Sequence, residues 1–130
     1  MTDIQPELWV DGPSEAVTFY EAAFGARVLH RVGHGDDIVA QLGVGDAAFW
    51  VASASSKLKR LSPRAIDSAT SRTLLVVEDP DSFFQQAVAA GAKESSPVQD
   101  EHGWRLGRII DPFGHEWEIG LPQHSWSSES

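Results

Sequence analysis

The chain has 130 residues, five of them tryptophan and none cysteine, with 19 acidic against 10 basic side chains for a formal charge of −9. That length suits a single globular domain, the missing cysteines exclude disulfides and thiolate chemistry, and the negative field opposes nucleic acid and anionic lipid. No apolar run approaches the roughly 20 residues of a membrane span, and Met1–Gln5 lacks the basic start and apolar core of a secretion signal, so a cytoplasmic protein without nucleic-acid or membrane partners is expected.

Ile4–Val10 alternates like a strand, with Pro6 confining it to an edge or an early position. Asp11 is placed to cap a helix that Pro13 opens; Ala16, Phe19, Tyr20, Ala23 and Phe24 share one apolar face, and Gly25 ends it. Strands are then predicted over Ala26–Val32, Ile38–Val44 and Ala47–Ala52, with turns at Gly33–Asp36 and Gly45-Asp46. Residues 53–71 are rich in Ser, Lys and Arg, without periodicity, and read as a solvated linker carrying Lys57, Lys59, Arg60 and Arg64. The plan then repeats. Thr73–Glu78 reads as a strand, and Asp79 and Pro80 open a helix with Phe83, Phe84, Ala87 and Val88 buried. Gly91 closes it, and strands are predicted at Lys93–Ser95, Trp104–Ile110 and His115–Ile119.

Asp11 thus returns as Asp79 and Gly25-Ala26 as Gly91-Ala92, an interval of about half the chain. Two copies of one β-α-β-β-β unit imply a shared concave site between them. The organisation expected is one α+β domain, residues 1–130: a first module at 3–54, a linker at 55–71, a second module at 72–122 and a polar tail at 123–130. Trp126 in that tail could fold back onto the body.

With Phe19-Tyr20, Phe24-Gly25-Ala26, Ala89-Ala90-Gly91-Ala92 and Asp111-Pro112-Phe113-Gly114-His115 in order, the chain resembles the vicinal oxygen chelate superfamily. That is the group of glyoxalase I, bleomycin-resistance proteins and extradiol dioxygenases, and the likeness is greatest to its small bacterial glyoxalase-like members. The resemblance runs from Ile4 to Leu121. It implies two βαβββ modules whose curved sheets form a cavity, and a homodimer. Its metal-dependent members take four ligands from the first and last strands of each module. Those positions fall here on Gln5, Trp50, Leu74 (or Thr73 or Arg72 with a shifted gap) and Glu118.

Tryptophan has no lone pair for a metal and leucine has no donor, so only Gln5 and Glu118 would serve an ion, and no cofactor is expected. Indole faces stack on planar or cationic molecules instead. Trp9, Trp50 and Trp104, with Glu7, Gln5, Leu74 and Glu118, suggest a metal-free pocket for a planar or cationic metabolite, as in the bleomycin-resistance proteins. The alternative is a metal-dependent lyase or dioxygenase with a degenerate site. Arg105 and Arg108, three apart on one strand, face opposite sides; one is a candidate for an anionic ligand group, or a partner for Glu118. His102, beside the expected cavity mouth, is the histidine to test as an acid–base group; His115 is expected to brace its turn.

Overall fold

Both halves adopt the order β-α-β-β-β. A computed structural model describes residues 1–123; the tail with His124 and Trp126 lies outside the described residues. The first half runs β1 (Glu7–Val10), α1 (Pro13–Phe24), β2 (Arg27–His34), β3 (Asp37–Val44) and β4 (Ala47–Ser53). A short helix α2 (Pro63–Ile66) follows, and the second half runs β5 (Arg72–Val76), α3 (Pro80–Ala90), β6 (Lys93–Glu101), β7 (Trp104–Ile110) and β8 (Glu116–Pro122). Each half forms a four-stranded sheet, in the orders β1-β4-β3-β2 and β5-β8-β7-β6, with the first and last strands of each half parallel. No helix among the described residues is long and apolar enough to cross a membrane.

Several local expectations need correction. β1 starts at Glu7 and leaves Ile4 outside, 91% exposed, because Pro6 cannot donate to a ladder. Gly12, not Asp11, occupies the N-cap of α1 and makes no side-chain cap, whereas Asp79 caps α3 by accepting from the Ser82 amide at 3.2 Å. Gly25 ends α1 at φ 65°, the left-handed conformation that glycine adopts without strain. The linker is not purely irregular: Ser62 is fully buried, caps α2 by accepting from Ala65, and sets Pro63 into the body.

One face of each sheet carries the core. Val10, Val51, Leu42 and Ala40 of the first sheet and Leu75, Ile109, Trp117 and Ile119 of the second are buried. Helices α1 and α3 pack on these faces and on each other. Where they meet, Tyr20, Phe24, Phe49 and Trp117 form a cluster of aromatic rings, with Phe24 and Trp117 centroids 4.8 Å apart edge-to-face. Phe49 of β4 and Trp117 of β8 touch directly at 5.3 Å, so the halves share a single core. The opposite face of each sheet stays open.

Asp111 ties the halves together. Its buried carboxylate accepts from the Tyr20 hydroxyl of the first half, from Trp117 Nε1 at 2.9 Å, and from the amides of Phe113 and His115 at 2.9 and 3.0 Å. Burial, then the neighbouring Asp111 charge, pushes the Tyr20 phenol well above its ordinary value. His115 reaches beyond its own turn: Nε2 lies 2.8 Å from the Trp9 carbonyl oxygen, joining the second half to β1.

A raised phenol pKa makes stability depend on alkaline pH. Tyr20 is neutral in the fold and ionises near pH 10 in the unfolded chain. Its contribution is therefore complete below about pH 10 and is lost as pH rises beyond that. Urea melts of wild type should weaken progressively above pH 10, and Tyr20→Phe should flatten that part of the curve.

Candidate functional site

Strand alternation decides which side chains reach the open faces. On the first sheet Glu7 pairs in register with Trp50, Trp9 with Ala52, and Gln41 with Trp50, which puts Glu7, Trp9, Trp50 and Gln41 on one face. The two indoles are fixed by their N–H groups. Trp50 Nε1 donates to Gln5 Oε1 at 2.8 Å, Gln41 Nε2 donates to the same oxygen at 2.9 Å, and Gln5 Nε2 donates to Asp3 at 2.9 Å. Trp9 Nε1 donates to Glu7 Oε2 at 2.9 Å. Each ring is thus held by its edge, and both tryptophans remain partly exposed. Gln41 was missed in the sequence, although its place opposite Trp50 follows from alternation in adjoining strands.

On the second sheet Leu74 pairs with Glu118, Glu118 with Arg108, and Trp104 with Pro122. A cavity of about 310 Å³ lies there, lined by Leu74, Glu101, His102, Trp104, Leu106, Arg108 and Glu118. Arg108 joins two of these side chains, donating from Nε to Glu118 at 2.9 Å and from Nη2 to Glu101 at 2.8 Å. The Glu101 bond comes first in raising the Arg108 pKa, and Arg108 in turn holds the Glu101 carboxyl below its ordinary range. Arg72 approaches Glu118 Oε2 at 3.7 Å. Glu101 and His102 arrive through the tight β6–β7 turn, where His102 and Gly103 both take positive φ (53° and 83°). Sequence reading singled out His102 there but overlooked Glu101.

Arg105 is not brought to this face. It points to the helix side, donating to both oxygens of Asp81 at 2.7 and 2.8 Å and to Asp100 at 3.1 Å. Those bonds raise its pKa and lower that of Asp81. Successive strand residues alternate sides, so Trp104 and Arg108 share a face that Arg105 cannot.

Within one chain the two sets of candidates occupy different sheets: Gln5, Glu7, Trp9 and Trp50 on the first, and Leu74, Trp104 and Glu118 on the second. Glu7 and Trp9 also border a smaller cavity of about 180 Å³ closed by Leu61, Pro63 and Ile66 of the linker and by His115.

The four positions that resemblance assigns to a metal fit one poorly. The Gln5 oxygen already accepts two hydrogen bonds, and Trp50 has no lone pair. The registers Glu7–Trp50 and Leu74–Glu118 make Arg72, two residues before Leu74, the counterpart of Gln5. A guanidinium repels a cation, and Glu118 is held by two of them. Among the described residues no three His, Asp or Glu side chains gather around one point.

The chain is 33% identical over 125 residues to the uncharacterized protein Mb0911c of Mycobacterium bovis, covering 92% of this chain and 82% of that one. Among solved structures it superposes on TioX from Micromonospora sp. ML1 with a TM-score of 0.72 at 27% identity, over 92% of this chain and 95% of the other. A bleomycin-binding protein solved with bleomycin shares the fold at a TM-score of 0.69 and 19% identity, over 95% of this chain and 100% of the other. Residues 4–119 match the family model described as Glyoxalase/Bleomycin resistance protein/Dioxygenase superfamily. The chain belongs to that superfamily, as its two βαβββ modules and the ordered motifs of both halves led one to expect.

Proposed function

We propose that the protein is a small-molecule binder that holds a planar metabolite against tryptophan faces without a metal ion. The observation that carries this reading is the pinning of Trp50 and Trp9 by Gln5 and Glu7. An indole whose N–H is satisfied at its edge offers its face for stacking and loses little rotamer freedom when a ligand arrives. Small-molecule binding by this fold is supported by the bleomycin-binding protein solved in complex with bleomycin. A cationic ligand is less well served at Glu118, because Arg108 and Arg72 already occupy that carboxylate.

The sheets' open faces belong together only if a second copy supplies the missing half. Leu74 and Val76 are 42% and 52% exposed there, and β1 and β5 each end a sheet with one unpaired edge. A homodimer is therefore part of the proposal, with the first sheet's tryptophans of one copy facing the Glu118 cavity of the other. Light scattering should give twice the 14.2 kDa chain mass; a monomer at working concentration would remove the shared site.

Planar aromatic compounds should quench tryptophan emission equally with and without EDTA. Trp50→Ala and Trp9→Ala should each weaken a ligand so found by about tenfold, the order expected when one stacked ring is lost. Unchanged affinity in both variants, or affinity that vanishes on chelation, overturns the reading.

A further inference from the structure

We infer that Arg72 is the anchor for an oxyanion, such as a carboxylate, on the planar ligand; this rests on the reading above and adds the sign of the ligand's charge. Hydrogen-bond capacity singles out this residue. Around the first sheet's indoles, Gln5, Gln41 and Trp50 satisfy one another. On the second sheet Arg108 spends its donors on Glu101 and Glu118. Arg72 differs. Its guanidinium stands 3.7 Å from Glu118 Oε2, beyond hydrogen-bond reach, and it makes no hydrogen bond among the described residues, with its side chain 44% exposed.

Position adds to chemistry. Arg72 lies on the same open face as Leu74, two residues along β5, and stands 3.7 Å from Glu118, which with Leu74 lines the 310 Å³ cavity. A guanidinium presents a planar fork of five donors that matches a carboxylate's two oxygens. A ring lying over Leu74 toward Trp104 would bring its carboxylate to that fork. Glu118 then acts as a positioning group, keeping the fork over the face. Among the described residues Glu116, opposite Arg72 in register, makes no ion pair with it, and the carboxylates that line the cavity, Glu101 and Glu118, are already paired with arginines.

The test uses three probes with one ring system: 2-naphthoate, the neutral 2-naphthamide and 2-naphthylmethylammonium, titrated calorimetrically into the full-length protein. Naphthoate should bind about tenfold tighter than the amide, the order of one partly exposed charge-assisted bond. Arg72→Gln should bring naphthoate down to the amide's affinity, with an unchanged unfolding midpoint, and Arg72→Lys should fall between because it keeps charge but loses the fork. Ammonium binding as tightly as naphthoate, or Arg72→Gln leaving naphthoate unaffected, overturns the inference while the planar-ligand reading stands. If none of the three binds, the planar-ligand reading itself fails. The wild-type ranking decides the sign even should Arg72→Gln fold poorly.

Discussion

Asp111→Ala should lower stability by about 3–5 kcal/mol, the range for leaving a buried, multiply bonded network broken. The carboxylate accepts four hydrogen bonds from donors on both halves, and its residue is only 3% exposed. Alanine would strand the Tyr20 hydroxyl, the Trp117 indole N–H and two amides in a dry interior. Tyr20→Phe removes one donor and should cost about 1–2 kcal/mol. The double variant should cost less than the sum of the two, because the hydroxyl is already unsatisfied once Asp111 is gone. Urea unfolding of all three variants provides the measurement. A loss under about 1 kcal/mol for Asp111→Ala would show that this junction does not hold the halves together.

Gly107→Ala should cost about 2–3 kcal/mol by overpacking. Gly107 sits on the helix side of β7, where α3 crosses the sheet. An added Cβ would stand 2.7 Å from Val98 Cγ2 and 2.8 and 2.9 Å from two atoms of the Phe84 ring. Phe84 is a rigid ring, 6% exposed, and cannot swing aside as a long flexible chain could. Relief requires α3 to lift from the second sheet, which would also disturb the aromatic contact between Phe24 and Phe83 at 5.6 Å. The urea midpoint should fall while the slope of the transition stays constant. An unchanged midpoint would overturn the overpacking account.

Much of the architecture was legible before any coordinates. The two helices were marked by Pro13 and Pro80 at their starts and Gly25 and Gly91 at their ends. Period-two and period-3.6 patterns depend on neighbours in sequence, and so do caps and turns, which is why strand and helix order could be read. Short elements were harder. Helix α2 spans four residues and owes its existence to Ser62 and Pro63 being buried by the rest of the fold, a tertiary effect that leaves no periodic trace. β6 runs to Glu101, well past the expected Ser95, because β7 pairs with it on both sides of the irregularity at Pro97-Val98, at Ser96 and again from Gln99 to Glu101.

The candidate residues divide in the same way. Which face Arg105 and Arg108 take relative to each other follows from alternation alone, but which of them meets Glu118 depends on the register of β7 against β8. Gln5 was visible as a polar group at a metal-ligand position; that it accepts a hydrogen bond from Trp50 was not. His115 was expected to steady its own turn, yet its ring reaches a carbonyl in β1, 106 positions away in sequence. Paired modules, their order of strands and helices, and the residue types available on each strand face are legible along the chain, because all of these rest on local periodicity. Three-dimensional packing adds that the halves join through Asp111 and a common aromatic core, that Arg72 stands as the counterpart of Gln5, and that each sheet turns its candidate face away from that core. Those outcomes are set by packing and register between segments distant in sequence, where burial of whole faces outweighs any local preference.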